Sequence, residues 1–404
     1  MSSAPPKTWS FAALLAGLAM LGPFSIDSYL PAFPEMIRQL DTSSLKMQQT
    51  LTVYLFAYAA MSLWHGALSD SVGRKPVIVG TLVIYGLATL GCAIAGNVQT
   101  LIFFRALQGT AAGGGLIVGR AMIRDRYHGP DAQRLMARIT LMFGVAPAIA
   151  PVIGGWLLQL AGWRSIFWAL VVFTSGMIVW SVMGLRETHP PSARRSLHPR
   201  TLLASYARIF TQREFQLLAG MVAFNFAGFF LYIPAAPVFL TVHLGVSAQG
   251  FAWLFLPAIV GIIGGATLSG RLAGRFMPER TIGLGFILMG SAASLNLILS
   301  WTIEPSLPWS ILPLPLYACG MSLVMPSATL LLLDLFPAMR GLVSSSQGFT
   351  HTMLSGVVAG AIVPMLEHSV RSLAAGMLLF LILGFFYWTL YRRLPARETP
   401  PAQS

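Results

Sequence analysis

Apolar runs of about twenty residues alternate with short polar segments along the whole chain. A helix needs roughly 20 mostly apolar residues to cross a bilayer. The pattern therefore predicts twelve membrane-spanning helices, near Ser10–Pro31, Gln49–Leu68, Val77–Gly96, Thr100–Met122, Leu135–Leu160, Ser165–Leu185, Glu214–Ala236, Gln249–Gly270, Thr281–Trp301, Ser310–Leu333, Gly341–Pro364 and Ser372–Tyr391. The fold class expected is an all-α polytopic membrane protein.

Composition supports this interpretation, because 55% of the 404 residues are hydrophobic and only 10% are charged. Soluble domains carry about 25% charged residues. A polar, basic stretch separates the sixth run from the seventh. We expect an N-terminal six-helix bundle over residues 1–185, a cytoplasmic basic linker over 186–213 and a C-terminal six-helix bundle over 214–404.

The basic residues predict the orientation. With both termini on one side, twenty Lys and Arg residues fall on that side and four on the other, namely Arg38, Lys46, Arg164 and Arg371. Loops rich in Lys and Arg stay in the cytoplasm. We therefore expect both termini to be cytoplasmic, in a multi-pass protein of a bacterial cytoplasmic membrane. The net charge of +13 is explained by these loops and by contacts with anionic lipid, so no nucleic-acid partner is expected.

Three common motifs of catalysis and cofactor binding are absent from the sequence. It contains no Walker loop, no Gly-x-Ser-x-Gly and no His-Glu-x-x-His pattern. The two cysteines, Cys92 and Cys319, lie in opposite halves and have no metal-ligand spacing. We expect neither an enzyme nor a resident metal or cofactor.

The loop after the second run reads GALSDSVGRKP, from Gly66 to Pro76. Gly66 would let two helices approach at the cytoplasmic end. Asp70 can accept hydrogen bonds at a helix terminus, and Arg74 can bridge to acidic groups. This segment resembles the loop 2–3 signature of the major facilitator superfamily, with Ser71 in place of a basic residue.

Three further segments resemble the same superfamily. RALQGTAAGGG, from Arg105, is similar to its R-x-x-Q-G pattern, and GVAPAIAPVIGG, from Gly144, resembles the signature of drug–proton antiporters, with Ala150 replacing a glycine. FSIDSYLPAFP, from Phe24, is similar to a segment of the bicyclomycin/chloramphenicol-resistance (Bcr/CflA) branch. The resemblance implies two pseudo-symmetric six-helix bundles, a monomer, and export of varied compounds in exchange for protons. It also implies that Gly66, Asp70, Arg74, Gly144, Pro147, Pro151 and Gly154 take part in conformational gating.

Proton coupling requires a titratable group within the transport pathway. Of the 13 acidic residues, Asp27 alone lies inside a predicted span and away from its ends. Burial favours the neutral carboxyl, whereas a nearby guanidinium favours the carboxylate. Arg105, also inside a span, is the candidate partner. The hypothesis is that Asp27 alternates between proton and cargo while Arg105 tunes the balance, and a structural salt bridge is the alternative.

Residues for a cargo cavity are suggested by the seventh run. Asn225, Phe229 and Tyr232 recur at helical spacing and could line one wall, although packing or lipid contact would explain an aromatic stripe equally well. Tyr29 and Gln108 complete the N-terminal wall by analogy with the family. His351, in the middle of the eleventh run, could titrate or could be a hydrogen-bonded packing residue.

The predicted function is proton-coupled export of drugs or other small, largely apolar molecules by alternating access. Fold and motifs do not determine direction, so proton-coupled import or export of a metabolite or nutrient is the alternative. An uncoupled channel or a membrane receptor is the alternative from a different class.

Overall fold

The computed structural model describes residues 8–127, 129–194 and 196–394. These residues form twelve helical spans, which confirms the predicted number: Ser10–Gln39, Ser44–Val72, Arg74–Ala93, Val98–Arg126, Gly144–Ala161, Arg164–Gly184, Arg213–His243, Ala248–Leu272, Pro278–Thr302, Pro313–Leu335, Arg340–Leu366 and Val370–Arg392. They are called spans 1 to 12 below. Since the number is even, both ends of the described chain lie on one side, called the inner side, and the opposite side is the outer side.

Several spans contain more than one helix. The α-helices are α1 Thr8–Asp27, α2 Phe33–Gln39, α3 Ser44–Val72, α4 Arg74–Ala93, α5 Val98–Ala112, α6 Gly114–Arg126, α7 Gly129–Ala161, α8 Arg164–Gly184, α9 Pro199–Phe210, α10 Arg213–Phe230, α11 Tyr232–Val238, α12 Ala252–Leu272, α13 Pro278–Thr302, α14 Pro313–Leu335, α15 Arg340–Val357, α16 Val363–Leu366 and α17 Val370–Arg392. Short 3₁₀ turns lie at Leu30–Ala32, Pro191–Ala193, Ala248–Phe251 and Pro337–Met339, and π turns lie at Phe239–His243 and Val358–Ile362.

Span 1 is longer than the sequence pattern predicts. It was expected to end at Pro31 but continues to Gln39, because α1 ends at Asp27 and the chain resumes as a 3₁₀ turn and then α2. Proline is tolerated in the first turn of a helix, where its missing N–H leaves no hydrogen bond unmade. Pro31 and Pro34 occupy such positions. The break places Asp27 near the middle of the 30-residue span.

The linker contains a helix that the sequence analysis did not identify. In α9 the side chains of Tyr206 and Ile209 are buried while Arg200 and Arg208 are exposed. The Tyr206 hydroxyl donates a hydrogen bond of 2.8 Å to the Leu63 carbonyl in span 2. This amphipathic helix therefore docks against the inner ends of the spans.

Helices pack within each half and across the division between halves. In the first half α3 packs on α5, α4 on α8 and α1 on α7, and in the second α13 packs on α14, α12 on α14 and α10 on α17. Between the halves, span 2 meets span 11 through α3 and α15, and span 5 meets span 8 through α7 and α12. Exchanging spans 1–6 with spans 7–12 converts one of these contacts into the other. This is the arrangement expected of two repeated six-helix units.

Candidate functional site

Asp27 is a buried carboxyl at the break in span 1. It is 4% exposed and is the last residue of α1. In the part of the chain that the structure describes, its side chain makes neither an ion pair nor a hydrogen bond. The other acidic residues within spans lie within about one turn of a span end, as Glu35 does in span 1. Asp27 is thus placed deep in the protein without a fixed partner.

Arg105 lies on α5, fully buried between two tyrosine rings. Its guanidinium carbon is 4.5 Å from the centre of the Tyr29 ring and 4.3 Å from the centre of the Tyr54 ring. Nη1 donates a hydrogen bond to the Gln108 side-chain oxygen, whereas Nε and Nη2 have no hydrogen-bond partner. Gln108 in turn donates to the Thr89 hydroxyl over 2.8 Å. Aromatic faces attract the cation because they present negative charge.

The structure does not pair Asp27 with Arg105. Among the residues described, the charge of Arg105 is met by tyrosine rings and an amide rather than by a carboxylate. The partnership expected from the sequence is therefore not formed in this conformation, and neither is the structural salt bridge. The roles of the two residues in proton coupling stay a prediction.

Tyr29 and Gln108 are both sealed within the first half rather than facing an open cavity. Each is fully buried. The Tyr29 hydroxyl is 3.1 Å from the Thr50 hydroxyl, and its ring packs against Phe33 and Phe167. In this conformation they hold Arg105 in place and do not form the cavity wall expected of them.

The three residues expected to form a wall in span 7 are also buried. Asn225, Phe229 and Tyr232 are exposed by at most 6%, and Tyr232 accepts a hydrogen bond of 2.7 Å from the Asn296 side chain. Asn225 is different, because neither its amide nitrogen nor its amide oxygen has a hydrogen-bond partner. A buried, unsatisfied amide is costly and marks a place where a polar group of a ligand could bind.

Phe226 is the aromatic residue of span 7 that the sequence analysis missed. It is partly exposed and lies beside Asn225 in a narrow crevice that also contains Met321 and Met325, and in this conformation the crevice is too narrow to admit a water molecule. Its ring stacks on Phe230 and lies 3.9 Å, centre to centre, from the ring of His351. Three phenylalanines within five residues look alike in the sequence, so only the packing distinguishes Phe226 from Phe229.

His351 lies in α15 at the edge of this aromatic group. Its Nε2 is buried without a hydrogen-bond partner. The alternative of a hydrogen-bonded packing residue therefore does not describe that nitrogen in this conformation. The titrating role of His351 stays a prediction.

A charge cluster joins the inner ends of spans 2, 3 and 4. Arg74 forms an ion pair with Asp70, and its Nε donates to Asp125 over 2.9 Å. The backbone N–H groups of Arg74 and Lys75 donate to the Glu187 carboxylate over 2.9 and 3.2 Å. Burial acts to raise the pKa of Glu187, but these backbone donors and those of Thr188 and His189 outweigh it and lower that pKa.

The glycines expected to act in gating differ from one another. A methyl group built on Gly66 or Gly144 would meet nothing within 4 Å, so the close helix approach expected at Gly66 is wrong. On Gly154 it would lie 1.8 Å from the Ser28 carbonyl oxygen, where α7 crosses the end of α1. Pro147 and Pro151 lie inside α7, which continues through both of them. Only Gly154 of the three glycines is required by close packing.

The two halves are in contact at their outer ends. The Gln249 side chain donates to Gln159 over 2.9 Å, and a methyl group on Gly155 would lie 2.8 Å from the Ala248 carbonyl oxygen. Ser44 and Gln48 of span 2 donate hydrogen bonds to Glu367, which follows span 11. These contacts close the passage between the halves on the outer side.

No cluster of three or more His, Cys, Asp or Glu side chains among the described residues could hold a metal ion. A cavity of about 360 Å³ lies on the outer surface of the second half, between His243, Trp301 and Arg371. None of the residues expected from the sequence to bind cargo lines it. The crevice at Phe226, by contrast, includes Asn225, one of the residues expected from the sequence to bind cargo.

Comparison with known proteins gives consistent results. The chain is 28% identical over 284 residues to a bicyclomycin resistance protein homolog of Haemophilus influenzae, covering 70% of this chain and 71% of that protein. It is 28% identical over 381 residues to multidrug resistance protein D of Escherichia coli, covering 93% and 94%. It is 29% identical over 366 residues to a chloramphenicol resistance protein of Pseudomonas aeruginosa, covering 88% and 84%.

The fold is also similar to a solved structure. A bacterial homolog of the human lysosomal transporter Spinster, in an inward-facing and occupied conformation, superposes with a TM-score of 0.74 at 16% identity, covering 99% of this chain and all of that one. The family model described as Major Facilitator Superfamily matches residues 14–360. With twelve spans in this arrangement and a family match over most of its length, the chain belongs to the major facilitator superfamily of membrane transporters.

Proposed function

We propose that this transporter is a proton-driven exporter of drugs or other small, largely apolar molecules from the bacterial cytoplasm. Its inner side, with both termini, faces the cytoplasm, in agreement with the positions of the basic residues. Relatives described as bicyclomycin, chloramphenicol and multidrug resistance proteins support this class of cargo. We expect the transporter to act as a monomer with protons as its coupling ion.

The observation that carries the proposal is the position of Asp27. The side chain is buried near the middle of span 1 and has no fixed partner among the described residues. An ionised carboxylate in such a site loses its hydration, so the group binds a proton when the site is closed to water. When the site opens or a cargo cation or donor approaches, the proton is released. Proton and cargo therefore compete for one group.

The closed outer ends define the first step of the cycle. Because the halves meet at Gly155 and at Gln48, access to the site from outside is blocked in this conformation. Cargo enters from the cytoplasm, and the halves then rock against each other at the contacts of spans 2 and 11 and of spans 5 and 8. Exchange of a proton at Asp27 accompanies the return step.

The cargo class is supported by the crevice at Phe226. Its wall combines an aromatic ring, two methionines and the unpaired amide of Asn225. Methionine side chains are flexible and polarizable, so they adapt to different apolar shapes. A single unsatisfied amide supplies one polar contact without fixing a particular compound. This composition fits a transporter of varied substrates.

The driving force is adequate. One elementary charge moving across 100 mV releases about 2.3 kcal/mol. That free energy supports a cargo gradient of more than tenfold, since about 1.4 kcal/mol corresponds to a factor of ten.

The test uses purified protein in liposomes that contain a pH-sensitive dye. Chloramphenicol and bicyclomycin are added as probes, and proton release is recorded for the wild type, for Asp27→Asn and for Glu35→Gln. Glu35 is the matched control, because it is a partly exposed acid near the outer end of the same span, and its one hydrogen bond among the described residues comes from Gln39. We expect proton release from the wild type and the control and its loss in Asp27→Asn.

Two results would contradict the proposal. Undiminished probe-induced proton release from Asp27→Asn would exclude Asp27 as the coupling group. Absence of proton release from the wild type with both probes, in protein shown by thermal unfolding to be folded, would exclude proton-coupled export of these compounds.

A further inference from the structure

A second buried carboxyl lies where the outer ends of the two halves meet. Glu367 is the first residue after span 11 and is 6% exposed. One of its oxygens accepts a hydrogen bond of 2.6 Å from the Gln48 amide nitrogen, and the other accepts one of 3.3 Å from the Ser44 hydroxyl. Both donors belong to α3 in the first half. Glu367 and these two residues are called the outer latch below.

The chemistry of the latch favours the neutral form of Glu367. Its two partners across the interface are uncharged, so they do not replace the hydration that a carboxylate loses on burial. The Gln48 side-chain oxygen is buried as well and has no hydrogen donor. A neutral carboxylic acid offers a donor as well as an acceptor, whereas a carboxylate offers acceptors only. A protonated Glu367 therefore brings a hydrogen donor to a group of buried acceptors that otherwise lacks one.

Burial raises the pKa of Glu367 in the closed latch, although the hydrogen bonds from Gln48 and Ser44 and the nearby His368 and His243 act in the opposite direction. When the latch opens, the side chain is hydrated and its pKa returns toward the ordinary range of a glutamate. The closed latch thus binds the proton more tightly than the open latch. By linkage, the free-energy advantage that the proton gives the closed latch over the open latch is complete below the ordinary pKa of a glutamate. It is lost as pH rises through the raised pKa of the closed latch.

We propose that Glu367 is a proton-binding site of the outer gate, which takes up a proton from the outer medium when the gate closes and returns it when the gate opens. The site is separate from Asp27 and lies at the end of the pathway rather than in its middle. It requires neither the proposed cargo nor the proposed direction of transport. An acidic outer medium favours the conformation in which the outer side is closed.

A cavity on the outer surface lies next to the latch. The cavity of about 360 Å³ on the outer surface is lined by His243 and His368. The His243 Nε2 atom is 2.7 Å from the backbone oxygen of Glu367, so a residue that lines the cavity contacts the main chain of the latch. Proton exchange with the outer medium is thus possible without passage through the centre of the protein.

The other charged groups around the latch are few in the described part of the chain. His243 and His368 lie beside Glu367 on the second half, and Lys46, on the same turn of α3 as the two donors, is exposed. Arg371 contacts the Trp301 ring and the Ser300 carbonyl instead of Glu367. The two histidines are therefore the competing titratable groups that an experiment must separate from Glu367.

The test measures opening of the outer gate directly, without cargo. Cys92 and Cys319 are replaced by alanine, and spin labels are attached through Leu45→Cys and Met365→Cys, two exposed positions next to the latch on opposite halves. Pulsed electron paramagnetic resonance of the protein in lipid nanodiscs gives the distribution of distances between the two spin labels. Spectra are recorded from about pH 5 to about pH 8, a range above the ordinary pKa of a glutamate.

We expect the open population of the labelled protein to rise with pH, by at most about tenfold in the open-to-closed ratio per pH unit for one linked proton. Glu367→Gln has the shape of the neutral acid and is expected to stay closed across the range. Glu367→Ala lacks the hydrogen bonds and is expected to open at every pH. Glu304→Gln removes an exposed acid from the same face and is expected to keep the parent profile.

Four results would overturn the proposal. The first is a parent profile that is flat or that opens as pH falls. The second is a Glu367→Gln protein whose open population changes with pH as it does in the labelled protein with Glu367 intact. The third is a Glu367→Gln protein whose open population equals that of Glu367→Ala. The fourth is a profile that disappears when His243 and His368 are replaced by glutamine while Glu367 is intact.

Discussion

The contact between α7 and the end of α1 gives a prediction with a calculable size. A methyl group on Gly154 would lie 1.8 Å from the Ser28 carbonyl oxygen. Carbon and a carbonyl oxygen approach closely at about 3.3 Å. The substitution Gly154→Ala therefore forces the two backbones apart by about 1.5 Å, and no side-chain rotation can relieve it because both colliding groups are fixed to the main chain.

The expected cost follows from this geometry. Overpacking a dense interior costs about 1–3 kcal/mol, and a clash with backbone belongs at the upper end of that range. Alanine stabilises a helix interior relative to glycine by roughly 0.5–1 kcal/mol. The net destabilisation of Gly154→Ala is thus about 2 kcal/mol.

Gly144→Ala is the matched control. It lies in the same helix, α7, and the added methyl group would meet nothing within 4 Å. The control is expected to be neutral or slightly stabilising, because the only remaining effect is the preference of a helix interior for alanine over glycine, about 0.5–1 kcal/mol. Thermal unfolding of the purified proteins in one detergent, followed by tryptophan fluorescence, compares the three. Equal unfolding temperatures for Gly154→Ala and Gly144→Ala would refute the reasoning.

Two further predictions concern charged groups of the first half. Arg105→Lys replaces a planar cation held between the Tyr29 and Tyr54 rings, and it is expected to destabilise the protein by about 2 kcal/mol, measured as a lower unfolding temperature, with Arg38→Lys as the exposed control. Glu187→Gln weakens the acceptor of the first N–H groups of α4 and is expected to cost about 0.5 kcal/mol at neutral pH. The fold lowers the pKa of Glu187, so the stability difference between the wild type and Glu187→Gln is complete above the ordinary pKa of a glutamate and vanishes as pH falls through the lowered pKa. A stability difference that persists unchanged in acid would contradict this prediction.

The number of spans could be read from the sequence because a bilayer imposes it locally. Every backbone polar group within the hydrocarbon must be satisfied inside its own helix, so each crossing requires its own long apolar run. The same rule made Asp27 conspicuous, since an acid deep in a span is costly and rare. Arg74 was expected to bridge to acidic groups, and the structure pairs it with Asp70, four residues earlier in the loop signature.

Contacts between side chains on distant segments could not be predicted from the sequence in this way. Arg105 was expected to meet Asp27 but lies between two tyrosine rings, and Phe229 was preferred to Phe226 although the latter borders the crevice. Each outcome depends on the rotation and relative height of neighbouring helices. A long hydrophobic run determines that a helix spans the membrane. When nearly all of its residues are apolar, the run does not determine which face of the helix packs against neighbouring helices.

The glycines show most clearly the difference between what the sequence determines and what the tertiary structure determines. Gly66, Gly144 and Gly154 all lie in recognisable motifs, yet only the last is in close contact with another backbone. The bond between Gln48 and Glu367 joins residues 319 positions apart. The sequence by itself determined how many helices cross the membrane and which acid is buried in the first, because those depend on the interaction of each segment with lipid. The tertiary structure alone decided which side chains meet, because that depends on how separate helices pack against one another.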